Sequence, residues 1–258
     1  MKIDELQFTV LANTGVAPLY RMVKRELLRV IESGQCRPGL ALPGESDISG
    51  ALGVSIGTLR RAVDELVHEH VLVRRQGRGT YVALHNSDRF MFQFFHVEPR
   101  PDLRYAEVVP KLEYPMVECV AFERARASET DAAALRIQQG EPVFRIDNRL
   151  SLGGRAVVHD RISLAAQTFR GLTEKRLLDR PSTIYTLYQT DFGITVLRAQ
   201  ERIRAAAAHS TTARVLGLAT GSPVLEVHRL ALTFGDKPVE YRVSTVNTQI
   251  HDYVSMLS

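Results

Sequence analysis

Two short helical patterns joined at Gly53-Val54-Ser55 constrain this chain more than any other feature. Before the joint, a short helix is expected over about Glu45 to Leu52, and Gly53 ends it. After it, Ser55 is an N-cap candidate for a longer helix reaching about His68. Leu59, Ala62, Val63, Leu66 and Val67 form the apolar stripe of that helix, leaving Thr58, Arg60, Arg61, Asp64 and Glu65 outside. A tight glycine turn followed by a helix opening in small polar residues describes a helix-turn-helix. A plain helical hairpin with solvated arginines has the same pattern.

The flanking segments narrow the choice. Upstream, Pro18 suits a first helical turn, and Leu19, Met22, Val23, Leu27, Leu28 and Ile31 follow at helical spacing. Gly34 and Arg37-Pro38-Gly39 then stop and turn the chain. Downstream, Val71 to Gln76 and Thr80 to Ala83 read as paired strands around Gly77-Arg78-Gly79, whose glycines permit positive φ. A tip of Gln76, Gly77 and Arg78 has little apolar surface to bury, so its arginine is free to reach a phosphate or a narrow minor groove. The alternative is an ordinary solvated turn.

The run Pro18-Leu19-Tyr20, Pro38-Gly39, Leu42-Pro43, Glu45, Gly53-Val54-Ser55, Thr58-Leu59-Arg60, Ala62, Leu66 and Gln76-Gly77-Arg78-Gly79-Thr80 resembles the winged helix-turn-helix of GntR-family transcription regulators. The resemblance implies that the helix opening at Ser55 enters a major groove and that the Gly77 tip touches a minor groove. Ser46, Ser55, Thr58, Arg60, Arg61, Gln76, Gly77 and Arg78 are the candidate DNA contacts. The chain departs from the family at Ile56, the position after the turn serine where an arginine often reads guanine and which Gly57 follows, and at Gly44, where serine is usual. An aliphatic side chain makes no bidentate bond to guanine but can touch a thymine methyl.

Bulk charge adds little. The 258 residues carry 33 Lys and Arg against 29 Asp and Glu, and residues 1–89 hold 12 against 10, so no basic tail or block exists. The 45% hydrophobic and 24% charged content excludes a disordered or low-complexity chain. No window approaches the ~18 apolar residues of a spanning helix. Acids at Asp4 and Glu5 argue against a signal peptide, so the expected location is the cytoplasm, with no membrane partner. Cys36 and Cys119 stand far apart, outside any metal-spaced cluster, and neither metal nor cofactor is expected.

Residues 85–89 read as a linker between a winged-helix domain over 1–84 and a second domain over 90–258. The second domain is expected to open with a strand at Phe90 to Phe95. Further strands are expected at Met116 to Arg126, Val143 to Leu152, Ala156 to Ser163, Thr195 to Arg204, Val224 to Phe234 and Pro238 to Asn247. Helical patches fall at Thr130 to Ile137, Ser182 to Phe192 and Ser210 to Leu216. The fold class is therefore α+β, a winged helix-turn-helix joined to a mostly antiparallel sheet. Tyr185 with Phe192-Gly193-Ile194, Arg198-Ala199-Gln200-Glu201, Leu216-Gly217 with Gly221 to Leu225, and Pro238 to Tyr241 resemble the UTRA effector-binding domain of HutC-type GntR regulators. That resemblance implies a chorismate-lyase-like fold, a small-molecule pocket and a homodimer.

It also implies pocket residues. Arg149 matches the first arginine of an Arg-x-Arg clamp, with Ser151 in place of the second; Asp160 matches an acid, Thr183 and Tyr185 a helix start, and Glu240 a late acid. Arg145 or Arg161 would substitute for the missing arginine, giving an effector site of Arg145, Arg149, Asp160, Thr183, Tyr185 and Glu240 for a small anionic metabolite. Against this, Arg145 and Arg149 also suit cross-strand ion pairs, and Glu201 and Glu240 suit structural pairing with Arg198 and Arg242. His159 reads as packed or solvated. The expected function is a ligand-responsive repressor, not an enzyme, whose dimer binds a pseudo-palindromic operator on double-stranded DNA. The rivals are a lyase-like enzyme, for which Asp160 and Glu240 are the only nominees, and a constitutive DNA-binder.

Overall fold

The structure, a computed structural model, describes residues 6–9, 18–69, 71–84, 96–102, 114–180 and 182–254. The expected linker at 85–89 and strand at 90–95 lie outside these residues. Two compact units emerge: one comprises Met1–His85 with Tyr188–Leu197, the other Asn86–Leu187 with Arg198–Ser258.

In the first unit, α1 (Leu19–Glu32), α2 (Glu45–Leu52) and α3 (Ile56–His68) precede the hairpin of β1 (Leu72–Arg75) and β2 (Gly79–Val82). Gly53 stops α2 at φ 68°, a left-handed value that a side chain would resist. Ser55 caps α3, its Oγ accepting the Thr58 N–H at 3.2 Å. Val23, Leu27, Ile48, Leu52, Leu59, Leu66 and Leu72 are buried as the shared core. Lys24 ties α1 to α3 through Glu65 at 2.9 Å and Glu69 at 2.6 Å. Cys36 belongs to this core, and burial pushes its thiol up to about 11.

The second unit is built on a six-stranded antiparallel sheet. Its strands are β4 (Met116–Arg126), β5 (Pro142–Leu152), β6 (Arg155–Ala165), β7 (Arg198–Ala207), β8 (Pro223–Leu232) and β9 (Pro238–Val246), in the order β4-β5-β6-β9-β8-β7. A two-stranded ribbon pairs β3 (Val97–Pro99) with β10 (His251–Tyr253). Its helices are α4 (Glu129–Leu135), α5 (Glu174–Leu178), the start of α6 (Ile184–Phe192) and α7 (Ser210–Leu216). A capping box at Ser128 and Asp131 starts α4. The hairpin turn expected at 235–238 is a short 3-10 turn over Phe234–Asp236, with Gly235 at φ 64°. The expected strand at 195–204 lies instead at 198–207, and α5 has no counterpart in the sequence reading.

Because side chains alternate across a strand, the register sorts residues into two faces. Asn148, Asp160, Ser244 and Val227 stand side by side on one face. Arg242, Arg229 and Glu201 follow on it, with Glu240 beside Ala231. Val97 and Tyr253 of the ribbon cover Leu150, Val158, Val227 and Val246 on this face. Arg149, His159, Thr245 and Glu226 occupy the opposite face. There α4 supplies Asp131 to Arg145, and Thr212 of α7 meets His159.

Candidate functional site

The first unit exposes Ser46 on α2, then Ser55, Ile56, Gly57, Arg60 and Arg61 along the opening turns of α3, with Thr58 half-buried. The Thr58 hydroxyl is held 2.9 Å from the Ser55 Oγ. Arg60 reaches back to Glu45 of α2, with Nε 2.6 Å from the carboxylate, yet its side chain stays 62% exposed. An exposed pair of this kind is weak and exchanges readily for a phosphate or a base edge. Arg61 differs, since its guanidinium lies 4.0 Å over the Tyr20 ring and braces α3 against α1.

Gln76, Gly77 and Arg78 form the exposed wing tip. Gly77 at φ 68° makes the turn, and the Arg78 carbonyl accepts the Tyr81 hydroxyl at 3.2 Å. Arg75 stacks 4.5 Å over that same Tyr81 ring, and Arg74 pairs with Asp64 at 2.6 Å. In the sequence Arg74 and Arg75 are marked only as residues of an expected strand. Their positions beside the tip add cationic surface to the wing.

In the second unit, Arg242 is the hub of a buried network. Its Nε and Nη2 donate to the two Glu240 oxygens at 2.9 and 3.0 Å, and its Nη1 donates to Asp160 at 2.9 Å. Ser244 donates to the other Asp160 oxygen at 2.5 Å, and the Tyr185 hydroxyl donates to Glu240 at 3.0 Å. On the neighbouring strand Arg229 donates to Glu201 at 2.6 Å, and the Tyr253 hydroxyl donates to the same carboxylate. Glu240, Asp160, Arg242 and Arg229 are at most 5% exposed. Burial alone would lower the Arg242 pKa, but Glu240 and Asp160 outweigh it and hold the guanidinium charged. Burial would likewise raise the Glu201 pKa, but Arg229 and the Tyr253 hydroxyl bring it below the usual carboxylate value. The Tyr185 phenol is pushed up by burial and by Glu240.

The network therefore unites Asp160, Tyr185 and Glu240 and leaves out the two expected clamp arginines. Arg145 lies on the other face, 3.0 Å from Asp131 and 3.7 Å from Glu123, and Arg149 pairs across the strands with Glu118. Arg161 pairs with Asp147 at 3.3 Å. Each of these arginines is neutralised by an acid, which is the cross-strand pairing that their residue types allowed. Thr183 is buried, and its hydroxyl accepts the Thr186 N–H at 3.1 Å, an N-terminal cap for α6. Glu201 pairs with Arg229 rather than Arg198, and Arg198 pairs with Asp236. Asp160 and Glu240 are both committed to Arg242, so neither stands as a free general acid or base.

A small cavity opens beside the network. Asp160, Arg229, Arg242 and Ser244 line its polar end, and Leu150, Val158, Val227 and Val246 its apolar end, with His96, Val97 and Tyr253 above. Its roughly 20 Å³ holds about one water. Among the described residues, no group of three His, Cys, Asp or Glu is placed to hold a metal ion. Among them also, no helix is long and apolar enough to cross a membrane.

A winged helix with an exposed start to its third helix, carried with an antiparallel sheet that buries a polar cluster, is the architecture of a DNA-binding regulator with a second module. Comparison with known proteins makes the assignment specific. Residues 19–82 match the model of bacterial regulatory proteins of the gntR family, and residues 114–252 match the UTRA domain. The chain belongs to the GntR family of bacterial regulatory proteins, in the group that carries a UTRA domain. It is 33% identical over 132 residues to the histidine utilization repressor of Klebsiella aerogenes, a match covering 51% of this chain and 52% of that protein. The chain thus spans about half the length of that relative. It is 23% identical over 244 residues to the HTH-type transcriptional regulator SmoD of Agrobacterium fabrum, covering 94% and 97% of the two chains. Among solved structures, the ligand-binding domain of a protein assigned to the GntR family in Bordetella bronchiseptica superposes with a TM-score of 0.56 at 31% identity, over 63% of this chain and 96% of that one. These relatives are named as regulators, and none as an enzyme.

Proposed function

We propose that the chain is a cytoplasmic, homodimeric repressor whose grip on a pseudo-palindromic operator is set by a small-molecule effector. The observation that carries this reading is the exposed start of α3 beside a wing tipped by Arg78, in a chain that also holds a UTRA sheet with a buried polar cluster. The head comprises residues 1–84, residues 85–89 link it, and residues 90–258 bind effector and dimerise. Ser55, Ile56, Thr58 and Arg60 face the major groove, and Gln76, Gly77 and Arg78 face the minor groove. Arg61 supports α3 through Tyr20. The effector site is the cavity beside Asp160, Tyr185, Glu240, Arg242 and Arg229, on the sheet face away from Arg145 and Arg149.

Effector binding changes operator affinity only if it favours one arrangement of the protein over another. A coupling in the usual range changes that affinity roughly 5–150-fold. Footprinting on the DNA upstream of the gene itself tests the head. The expected result is two protected half-sites whose centres lie about 10 base pairs, or a multiple, apart. Protection without sequence preference would overturn the repressor reading.

A further inference from the structure

We infer that the effector is a small carboxylate with an apolar frame, held by Arg229 and Arg242, and that it binds by displacing Glu201 from Arg229. The inference rests on the effector site proposed above. Arg229 and Arg242 face each other directly across β8 and β9, are 5% and 3% exposed, and both line the cavity. Like charges directly opposite in a sheet repel, and here each needs its own carboxylate: Glu240 for Arg242 and Glu201 for Arg229. The two acids are held differently. Glu240 is wholly buried and grips Arg242 with both oxygens, whereas Glu201 lies on the edge strand β7, keeps a 21% exposed side chain and meets Arg229 through one oxygen. Glu201 is the replaceable partner.

An incoming carboxylate replaces Glu201 like for like, so the pocket keeps its charge balance at Arg229. Leu150, Val158, Val227 and Val246 receive the carbon frame. Room for about one water means that a ligand enters only when the cover lifts. That cover is the β3–β10 ribbon, three residue pairs long, and Tyr253 latches it to the same Glu201 carboxylate. Displacing Glu201 from Arg229 therefore disturbs the latch as it fills the pocket.

The test uses the full-length protein at pH 8 and three probes of one frame: isovalerate, isovaleramide and isoamylamine. Binding is read by NMR shifts of valine methyl groups. The expected result is saturable shifts at Val227 and Val246 with isovalerate alone, lost in Arg229→Met. Glu201→Gln, which keeps the side chain's shape and weakens the internal competitor, tightens isovalerate binding by about fivefold or more. Equal affinity in wild type and Glu201→Gln would overturn the displacement. Shifts of the same methyls by the amine or the amide would overturn the carboxylate while leaving the site intact. An isovalerate response unchanged in Arg229→Met would overturn the site itself. Absence of an isovalerate response in both wild type and Glu201→Gln would overturn the inference as a whole.

Discussion

Replacing Arg242 with methionine removes the hub of the buried network and leaves Glu240 and Asp160, at 0% and 2% exposure, without their cation. Breaking a buried ion pair from one side costs about 3–5 kcal/mol, because the surviving charge stays desolvated and unpaired. For a unit of this size each kcal/mol lowers Tm by about 2–4 °C, so a fall of about 6–20 °C is expected. The chain contains no Trp, so near-UV circular dichroism of its tyrosines, Tyr185 among them, follows the transition. Burial without a cation disfavours the charged form of a carboxylate relative to the protonated one. The deficit of Arg242→Met should accordingly shrink between pH 8 and pH 5. Adding Asp160→Asn and Glu240→Gln to the same variant should recover more than half of the loss. A deficit below about 1 kcal/mol, equal at both pH values, would show that the network does not hold the sheet face together.

Four further outcomes are expected. Ser55→Ala removes the α3 cap and should cost the head about 1 kcal/mol in urea denaturation, and Arg78→Ala should weaken binding to all sequences and lower the slope of log affinity against log salt by about 1. The fully buried His251 has its pKa depressed to about 4, first by burial and then by Arg155, against the opposing Asn247 backbone and Asp252. The unfolded chain thus binds a proton below about 6.5 that the folded chain refuses; stability present above that pH is lost by up to about 3 kcal/mol as pH falls toward 4, and His251→Gln should flatten that part of the stability profile. Lengthening residues 85–89 with Gly and Ser should preserve operator affinity and weaken the effector response, and an unchanged response would remove the linker from the coupling.

Local signals made the head legible. The Gly53 stop, the Ser55 cap and the Gly77 turn are each written in one or two residues, and the structure places α2, α3 and the hairpin where those residues put them. The six strands of the main sheet were legible from their alternation, with β7 displaced by three residues from its expected place. The faces were not, because a face depends on register between distant strands and on bulges such as the one at Leu150 and Ser151. Arg149 and Asp160 seemed neighbours in one pocket, yet the β5–β6 register sets Arg149 against His159 and Asp160 against Asn148. A signal for Arg242 was present: Glu240, Arg242 and Ser244 alternate on one strand and must share a face. Nothing local pairs Glu201 with Arg229, 28 residues away, and the ribbon strands of three residues are too short to show alternation.

In the proposed function a metabolite adjusts the protein's grip on its operator. Fluorescence anisotropy with DNA from the chain's own upstream promoter, titrated with and without pooled carboxylates, amino acids and sugar phosphates, addresses it most directly. The expected result is specific binding that the carboxylate pool changes by about 5–150-fold and that Arg229→Met makes unresponsive. Salt-sensitive binding with no preference for the promoter over unrelated DNA, unmoved by any pool, would contradict it.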